Sequence, residues 1–385
     1  MREGKVRILR SPTALGKSHT VAATDWRENP EITGGEPVVM LSETTDARDD
    51  AAETTRAHGG ECSVLLGRDE ACPVAAGDHD DALTMNGTPA SEWINEQCDR
   101  KGMTFSGAHA RLAAHNDQQT DLPCSEGCTG NTQWSGVPRD DGEPTADVVH
   151  ATGPFGFVPG LITDTNVFVD ELTTFSLIGP GATDGGKHSD GLSHEDVRRA
   201  VTAFLKEADA PLDTFDALVT VAAHEGVPEP DGLGTALAHR PDPDWFYENR
   251  DAHALAPALT RGIWRAAGDE PDANGRRMAR WVEHYPPRLD ADERGPETKQ
   301  WVNIVLNPDN TVTTLRSIPN LDSARSVIGL DAHPSWPLWA ANIGPGLSVN
   351  SVFALAKEIV GQESWRCESV AGKGDAAASP GRNVP

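Results

Sequence analysis

The arrangement of apolar and polar residues near the start of the chain repeats a strand followed by a helix. Short apolar runs bounded by turn residues predict buried β-strands at residues 6–9, 37–42 and 62–66. Between these runs, helical spacing predicts helices from residue 17 to about 26 and from about 45 to 58. Strands that alternate with helices are typical of a parallel sheet covered by helices. The sequence therefore predicts an α/β fold with a parallel sheet.

The middle of the chain interrupts this alternation twice. Residues 67–145 are rich in Gly, Asp, Asn and Cys and show no regular period, and core strands return at residues 147–150 and 167–169. Ser193 followed by Asp196 then indicates the start of a helix, because a serine side chain caps the free N–H groups of a first turn. Three more helices are predicted near residues 214–224, 254–266 and 274–284. Together these helices predict a helical insertion.

Strand patterns return in the last third of the chain. Residues 301–306 and 311–315 are predicted strands, and residues 307–310 (Asn-Pro-Asp-Asn) are a good hairpin turn between them. Residues 326–331 form another apolar run and predict a further core strand. Beyond about residue 361 the chain is polar and rich in Ala, Gly and Pro, a composition typical of disorder.

A candidate phosphate-binding loop lies between the first predicted strand and the first predicted helix. It reads Ser11-Pro12-Thr13-Ala14-Leu15-Gly16-Lys17-Ser18, and it matches the pattern G-x-x-x-x-G-K-[ST] except that Ser11 replaces the first glycine. Backbone N–H groups at the start of a helix favour phosphate. Lys17 would reach the β- and γ-phosphates, and the Ser18 hydroxyl would take a Mg²⁺ position. The loop predicts that residues 11–18 bind ATP with Mg²⁺.

The apolar strand at residues 166–169 is followed directly by Asp170 and Glu171. In ATPases with a phosphate-binding loop, such a strand lies beside the loop, its Asp helps to hold Mg²⁺ and its Glu polarises the attacking water. The alternative is a buried strand that ends in two solvated acids, which is common in an acidic protein. Combined with the loop, the pattern predicts Lys17, Asp170 and Glu171 as catalytic residues.

Five of the six cysteines lie between residues 62 and 128. Cytosolic thiols stay reduced, so clustering indicates a metal rather than disulfides. Four thiolates could fill a tetrahedral Zn²⁺ site or hold an iron–sulfur cluster, and thiols without a metal are the alternative. Cys62 falls on a predicted strand and is expected to be a core residue. The predicted metal ligands are Cys72, Cys98, Cys124 and Cys128.

The chain is strongly acidic, with 33 basic and 59 acidic residues and a formal net charge of −26. Such a surface suits concentrated cytoplasmic salt, where a Debye length of about 3 Å near 1 M screens self-repulsion. An ordinary acidic protein is the alternative. The charge removes any global electrostatic argument for nucleic-acid binding. A local basic patch of Arg276, Arg277 and Arg280 on the predicted helix 274–284 could still contact a strand, although a solvated helix face is favoured.

Two further observations bear on location and partners. No apolar run approaches the roughly 20 residues that span a bilayer, and no signal peptide is recognised, so a cytoplasmic protein without a membrane partner is expected. Trp336 and Trp339 could stack on nucleic-acid bases. They are expected instead to close a core or to dock a partner domain.

The order of these parts resembles the superfamily 2 DNA helicases of the XPD and DinG group. The loop of that family, A-P-T-G-x-G-K-T, matches here at Pro12, Thr13, Gly16 and Lys17, with Ser18 for Thr. A four-cysteine insertion, an Asp-Glu strand and a helical arch follow in the family in the same order as here. The next family motif, S-A-T, falls near residues 330–333 and matches only at Ala332.

The resemblance implies a RecA-like P-loop NTPase domain that couples ATP hydrolysis to movement along single-stranded DNA. It also favours an iron–sulfur cluster over Zn²⁺ on the four cysteines. No match to the family's second motor domain follows Asp331, so a second motor domain on another chain is an expected partner. Two alternatives remain: a truncated, non-catalytic nucleotide- or DNA-binding fragment, and a zinc-stabilised interaction protein with a degenerate loop.

These expectations divide the chain into six intervals. The ATPase core is predicted at 1–66, at 146–180 with the Asp-Glu motif, and at 301–345 with its last strands. The cysteine insertion is predicted at 67–145 and the helical, arch-like insertion at 181–300. A C-terminal helix and a disordered tail are predicted at 346–385.

Overall fold

The structure, a computed structural model, describes most of the chain. It covers residues 6–10, 16–115, 122–123, 128–171, 191–224, 226–287, 298–344 and 347–351. Residues 11–15 of the predicted loop, Cys124 and the tail predicted beyond residue 361 lie outside these ranges. No helix among the described residues is long and apolar enough to cross a membrane.

The described residues form strands and helices that alternate at both ends of the chain. The strands are β1 (Val6–Arg10), β2 (Val38–Ser42), β3 (Cys62–Val64), β4 (Thr84–Met85), β5 (Thr88–Pro89), β6 (Arg139–Asp140), β7 (Glu143–Pro144), β8 (Val148–Thr152), β9 (Asn166–Asp170), β10 (Arg277–His284), β11 (Gln300–Leu306), β12 (Val312–Ile318), β13 (Ser326–Asp331) and β14 (Leu347–Ser351). The helices are α1 (Lys17–Ala23), α2 (Pro30–Thr33), α3 (Thr45–Ala57), α4 (Arg68–Ala71), α5 (Pro73–Ala76), α6 (Ala90–Asn95), α7 (Phe105–Ala113), α8 (Thr129–Thr132), α9 (Pro159–Ile162), α10 (His194–Glu207), α11 (Phe215–Ala222), α12 (Leu233–Leu237), α13 (Pro243–Glu248), α14 (Ala256–Ala267) and α15 (Trp336–Ile343).

Seven strands form one sheet in the order β14-β1-β13-β9-β2-β8-β3, and every neighbouring pair in it is parallel. This confirms the predicted α/β class with a parallel sheet. Strand β2 is buried along its whole length because both faces of the sheet are covered. Val39 and Leu41 pack on the side of α9 and α15, and Val38 and Met40 on the side of α1 and α3.

The segment between β3 and β8 folds as short helices around a small core of its own. Leu83, Ile94 and Leu112 are buried at its centre, and Cys72 is buried with them. Trp134 packs against this core and also stacks on Phe155, which belongs to the core beneath the large sheet. The cysteine-bearing segment is therefore attached to the large sheet through aromatic side chains.

The described residues between 191 and 318 form a second layer of helices and strands. Strands β10, β11 and β12 pair antiparallel in a separate three-stranded sheet. Helices α10, α11 and α14 cover it, and their apolar residues share one core with Val282 and Ile304 of the sheet. The predicted helical region is therefore built on a small sheet.

Two sequence predictions fail in this layer. Residues 274–284 are not a helix, because residues 277–284 form β10. The register of β10 shifts between Ala279 and Val282, so one extra residue separates these two buried residues. Their spacing of three positions is also the spacing expected on the buried face of a helix. The strands predicted at 301–306 and 311–315 are β11 and β12, which form the three-stranded sheet with β10, so among the described residues of 301–345 only β13 joins the large sheet. The other predicted boundaries stay predictions.

Candidate functional site

The candidate site lies where parallel strands end at one edge of the large sheet. Strand β13 lies between β1 and β9, and the register places Arg10 beside Asp331 and Leu330 beside Asp170. Gly16 precedes α1 with a φ of 67°, a left-handed conformation that glycine adopts without strain. The helix that follows therefore begins with Lys17 and Ser18 at the same edge as Asp170.

Ser18 and Asp170 are in direct contact. The Ser18 hydroxyl donates a hydrogen bond to Oδ1 of Asp170, although the two residues are 152 positions apart in the sequence. Both side chains are half-buried. Burial raises the pKa of the Asp170 carboxyl, whereas the Ser18 hydrogen bond and the positive charge of Lys17 act against that rise. The structure thus brings together a hydroxyl and a carboxylate that the sequence predicts as Mg²⁺ ligands.

Glu171 follows Asp170 in an uncommon backbone conformation. Its φ is 61°, and its amide donates to the carbonyl oxygen of Leu330 at 3.0 Å. Partial burial and the charges of Asp331 and Asp170 raise the pKa of the Glu171 carboxyl, and Lys17 opposes the shift. Glu171 is exposed to solvent. The charge of Lys17 nevertheless acts on its carboxyl as it does on that of Asp170.

Two further acids belong to this edge, and the motif analysis did not assign them. Glu43 follows β2, and its charge contributes to the raised pKa of Glu171. Asp331 ends β13, and its Oδ2 accepts a hydrogen bond of 2.7 Å from the indole N–H of Trp339. Trp339 is buried, as expected for a core residue, whereas Trp336 is exposed. In the sequence, Asp331 is marked only by the apolar run that it ends. The order of the strands in the sheet is what places it at the candidate site.

The predicted cysteine ligands lie in one segment but do not form a metal site among the described residues. Cys72 is buried in the small core, Cys98 packs against that core, and Cys128 precedes α8. Burial raises the pKa of the Cys98 thiol to about 11. Cys62 is partly buried, as expected for its strand position.

No group of three or more His, Cys, Asp or Glu side chains in the described ranges is arranged to hold a metal ion. Because Cys124 lies outside those ranges, the four-cysteine cluster stays a prediction. Iron and zinc analysis of anaerobically purified protein would test it.

Comparisons with known proteins give only distant resemblances. No protein-family model matches the chain, and no curated protein does. Among solved structures, "Truncated XPD" covers 91% of this chain and 95% of its own length, with 12% identity and a TM-score of 0.31. "Structure of S. tokodaii Xpd4" covers 90% of this chain and 57% of its own length, with 9% identity and a TM-score of 0.25. Resemblances this distant carry no functional argument, so the site's own geometry has to carry one.

Proposed function

We propose that this chain binds ATP with Mg²⁺ at the sheet edge formed by Lys17, Ser18, Asp170 and Glu171, and that it hydrolyses the nucleotide. The observation that carries the proposal is the hydrogen bond from the Ser18 hydroxyl to the Asp170 carboxylate. A hydroxyl at the start of one helix and an acid at the end of a distant strand have no local reason to meet. Their contact is the one expected of a phosphate-binding loop and an Asp-Glu strand that serve one metal.

The donor set fits Mg²⁺ bound together with a nucleotide. Mg²⁺ prefers oxygen ligands, and with a phosphorylated substrate it needs only one or two carboxylates from the protein. Ser18 and Asp170 would supply a hydroxyl and a carboxylate. When bound, Mg²⁺ would neutralise charge on the phosphate oxygens. Lys17 would place a second positive charge beside the terminal phosphates, next to acids that otherwise repel them.

Glu171 would act on the attacking water. Its carboxylate is exposed to solvent, and its backbone is anchored to Leu330 of the neighbouring strand. An ionised carboxylate at this position can accept a hydrogen bond from water and orient it. Because partial burial and the charges of Asp331 and Asp170 raise its pKa, Glu171 is a stronger base than an ordinary glutamate.

Coupling of this activity to single-stranded DNA is the more distant part of the proposal. It rests on the order of the motifs along the sequence, in which a loop, a cysteine segment, an Asp-Glu strand and a helical layer follow one another. The measurement that tests it is the ATP hydrolysis rate with and without single-stranded DNA in molar KCl. Stimulation by DNA would support a motor, and an unchanged rate would leave an ATPase without that partner.

Nucleotide binding is tested first with the Lys17→Ala and Asp170→Asn variants. We expect Lys17→Ala to lose ATP affinity with and without Mg²⁺, and Asp170→Asn to lose mainly the gain that Mg²⁺ provides. Titration of a fluorescent ATP analogue would measure both. Lys206→Ala on α10 and Asp50→Asn on α3 are matched controls, because both residues are exposed and distant in sequence from the site.

The outcome separates three cases. Equal affinity in wild type and in Lys17→Ala would refute the nucleotide site. Binding that depends on Lys17 without any turnover would leave a nucleotide-binding protein rather than an ATPase. Binding with turnover would support the whole proposal.

A further inference from the structure

A cleft of about 210 Å³ opens in the second layer of the molecule. Its walls come from the segment between α12 and α13, from α14, and from the end of β10 with the residues that follow it. None of its lining residues belongs to the candidate nucleotide site. The cleft is therefore a separate feature that needs its own explanation.

Two arginines line the cleft without an acidic partner. Arg261 donates from Nη1 to the carbonyl oxygen of Leu237 at 3.2 Å and from Nη2 to the carbonyl oxygen of Glu283. The Arg240 guanidinium lies over the ring of Tyr285, 4.7 Å from its centroid. Within the described ranges, neither arginine has a carboxylate at salt-bridge distance.

The remaining charged groups around the cleft do not cancel these two arginines. The carboxylate of Glu283 lines the cleft, but it accepts from Lys299 Nζ at 3.1 Å and from the Tyr285 hydroxyl at 3.0 Å. Its charge is thus balanced by Lys299. Burial lowers the pKa of Arg261, the charges of Arg265 and Arg240 act in the same direction, and the charge of Glu283 opposes them. Among the described residues that line the cleft, two arginines and one glutamate leave an excess of positive charge.

A histidine also lines the cleft. His239 is a lining residue, and its Nε2 atom is buried without a hydrogen bond to any described residue. The bonds of Arg261 to two carbonyls could be purely structural. They do not account for Arg240 or for His239.

Much of the remaining wall is apolar and rigid. Pro241, Pro243, Pro257, Pro287 and Phe246 line it. Proline has a fixed φ and no rotamers to order, so these walls present a preformed surface. The cleft is smaller than the roughly 300–1,000 Å³ of sites for drug-sized molecules. A ligand of about one ring with an anionic group suits this volume.

We propose that this cleft binds a small organic anion, which presents a carboxylate or phosphate group to Arg240 and Arg261 and an apolar body to the proline-lined wall. Guanidinium groups bind both oxyanions through charge-assisted hydrogen bonds. The proposal does not depend on the nucleotide site, because the two sites share no residue.

Calorimetric titration of the full chain at moderate KCl concentration would test the proposal. The probes are benzoate, inorganic phosphate, and benzamide, which has the ring of benzoate without its charge. We expect one site for benzoate or for phosphate and much weaker binding of benzamide. Binding of benzoate alone would identify a carboxylate ligand, and binding of phosphate alone would identify a phosphorylated one.

Arg240→Gln is the main variant, because Arg240 is exposed and its replacement should leave the fold intact. We expect Arg240→Gln to lower the affinity for the anion about tenfold or more, since it removes a charge-assisted contact. Arg56→Gln, an exposed arginine on α3 outside the cleft, is the matched control and should bind as wild type does.

Lys17→Ala should keep full affinity for the anion, which separates this site from the nucleotide site. Three results would overturn the proposal. They are no binding of either anion at millimolar concentration, equal affinity for benzoate and benzamide, and equal affinity in wild type and Arg240→Gln.

Discussion

Glu171 shows how the backbone fixes a functional side chain. A positive φ is uncommon for a residue other than glycine, and here it accompanies a hydrogen bond from the Glu171 amide to the carbonyl oxygen of Leu330. The conformation turns the chain away from β9 directly after Asp170. Asp170 consequently stays in contact with Ser18 while Glu171 faces solvent. Two adjacent acids are thereby given different surroundings and can serve different roles.

The Glu171→Gln variant should bind ATP but hydrolyse it slowly. The amide keeps the shape of the side chain, and it removes the carboxylate that would orient water while leaving Asp170 and Ser18 in place. We expect the turnover rate to fall by roughly 10²–10⁴-fold, as is typical when a general base is removed, with little change in nucleotide affinity. Single-turnover hydrolysis and nucleotide titration would measure the two effects. A variant that hydrolyses ATP at the wild-type rate would remove Glu171 from the mechanism.

The pH dependence of hydrolysis should reveal the influence of Asp331 on Glu171. Glu171 acts only when ionised, and the charge of Asp331 raises its pKa, so activity is lost on acidification earlier than an ordinary glutamate would allow. Asp331→Asn removes that charge and lowers the pKa of Glu171. The acid limb of the rate profile should therefore move to lower pH.

The matched control for this experiment is Asp322→Asn. Asp322 is exposed and lies ahead of β13, whereas Asp331 ends that strand. Its replacement should leave the profile where it is. An acid limb that stays fixed in Asp331→Asn, or that moves to higher pH, would contradict the electrostatic link between the two acids.

At the scale of residues, the sequence predicts the local parts of the site better than the distant ones. Lys17, Ser18, Asp170 and Glu171 follow from two short motifs, and the structure places Ser18 against Asp170. Asp331 does not follow from a motif. Its place depends on β13 lying between β1 and β9, and that order is decided by packing across the whole sheet.

Among the elements, helix α10 shows what local sequence can establish. Ser193 accepts from the amide of Asp196 at 3.1 Å, and Asp196 Oδ2 accepts from the amide of Ser193 at 2.9 Å. This is the reciprocal cap that the sequence predicts. It satisfies donors that a helix start leaves free. A cap uses residues three positions apart, so a sequence contains all the information it needs.

Ser193→Ala should lower the free energy of unfolding by about 1 kcal/mol, because the first turn of α10 loses its capping acceptor. Ser335→Ala is a matched control, since Ser335 precedes α15 without a capping hydrogen bond from its side chain. Urea unfolding followed by circular dichroism would measure both. Equal losses in the two variants would show that the cap on α10 contributes nothing specific.

Strand β10 shows where local pattern misleads. Ala279 and Val282 both face the core, and the bulge between them separates them by three positions instead of two. Trp281, inside the bulge, has a φ of 60°. A spacing of three is what an amphipathic helix would produce. A bulge is decided by pairing with β11, so the sequence of β10 alone cannot reveal it.

At the scale of the whole molecule, α15 connects the two layers. Trp339 of this helix donates to Asp331 at the candidate site. On the same helix, Asn342 is fully buried and its Oδ1 accepts from Arg316 of the small sheet at 2.8 Å. The small sheet also reaches α15 through Asn303, which donates to the carbonyl oxygen of Ala341 at 3.2 Å. The nucleotide site and the second layer therefore share one helix as a common support.

The net charge of −26 makes the stability of this fold depend on salt concentration. The ion pairs of the surface are mostly exposed, as in Arg27–Glu61, and such pairs contribute little. Repulsion among unpaired acids is the larger electrostatic effect. It weakens when the Debye length falls from about 10 Å at 0.1 M salt to about 3 Å at 1 M. Salt should therefore stabilise the fold although it screens the ion pairs.

We expect the midpoint of thermal unfolding at neutral pH to rise steadily as KCl is raised to molar concentration. The same titration near the sequence pI of about 4.8 is the control, because the net charge is then close to zero and little repulsion is left to screen. The salt effect should largely vanish there. Salt can also strengthen apolar burial by exclusion from the surface, and that effect does not depend on net charge. An equal rise at both pH values would therefore assign the stabilisation to apolar burial and reject self-repulsion as its cause.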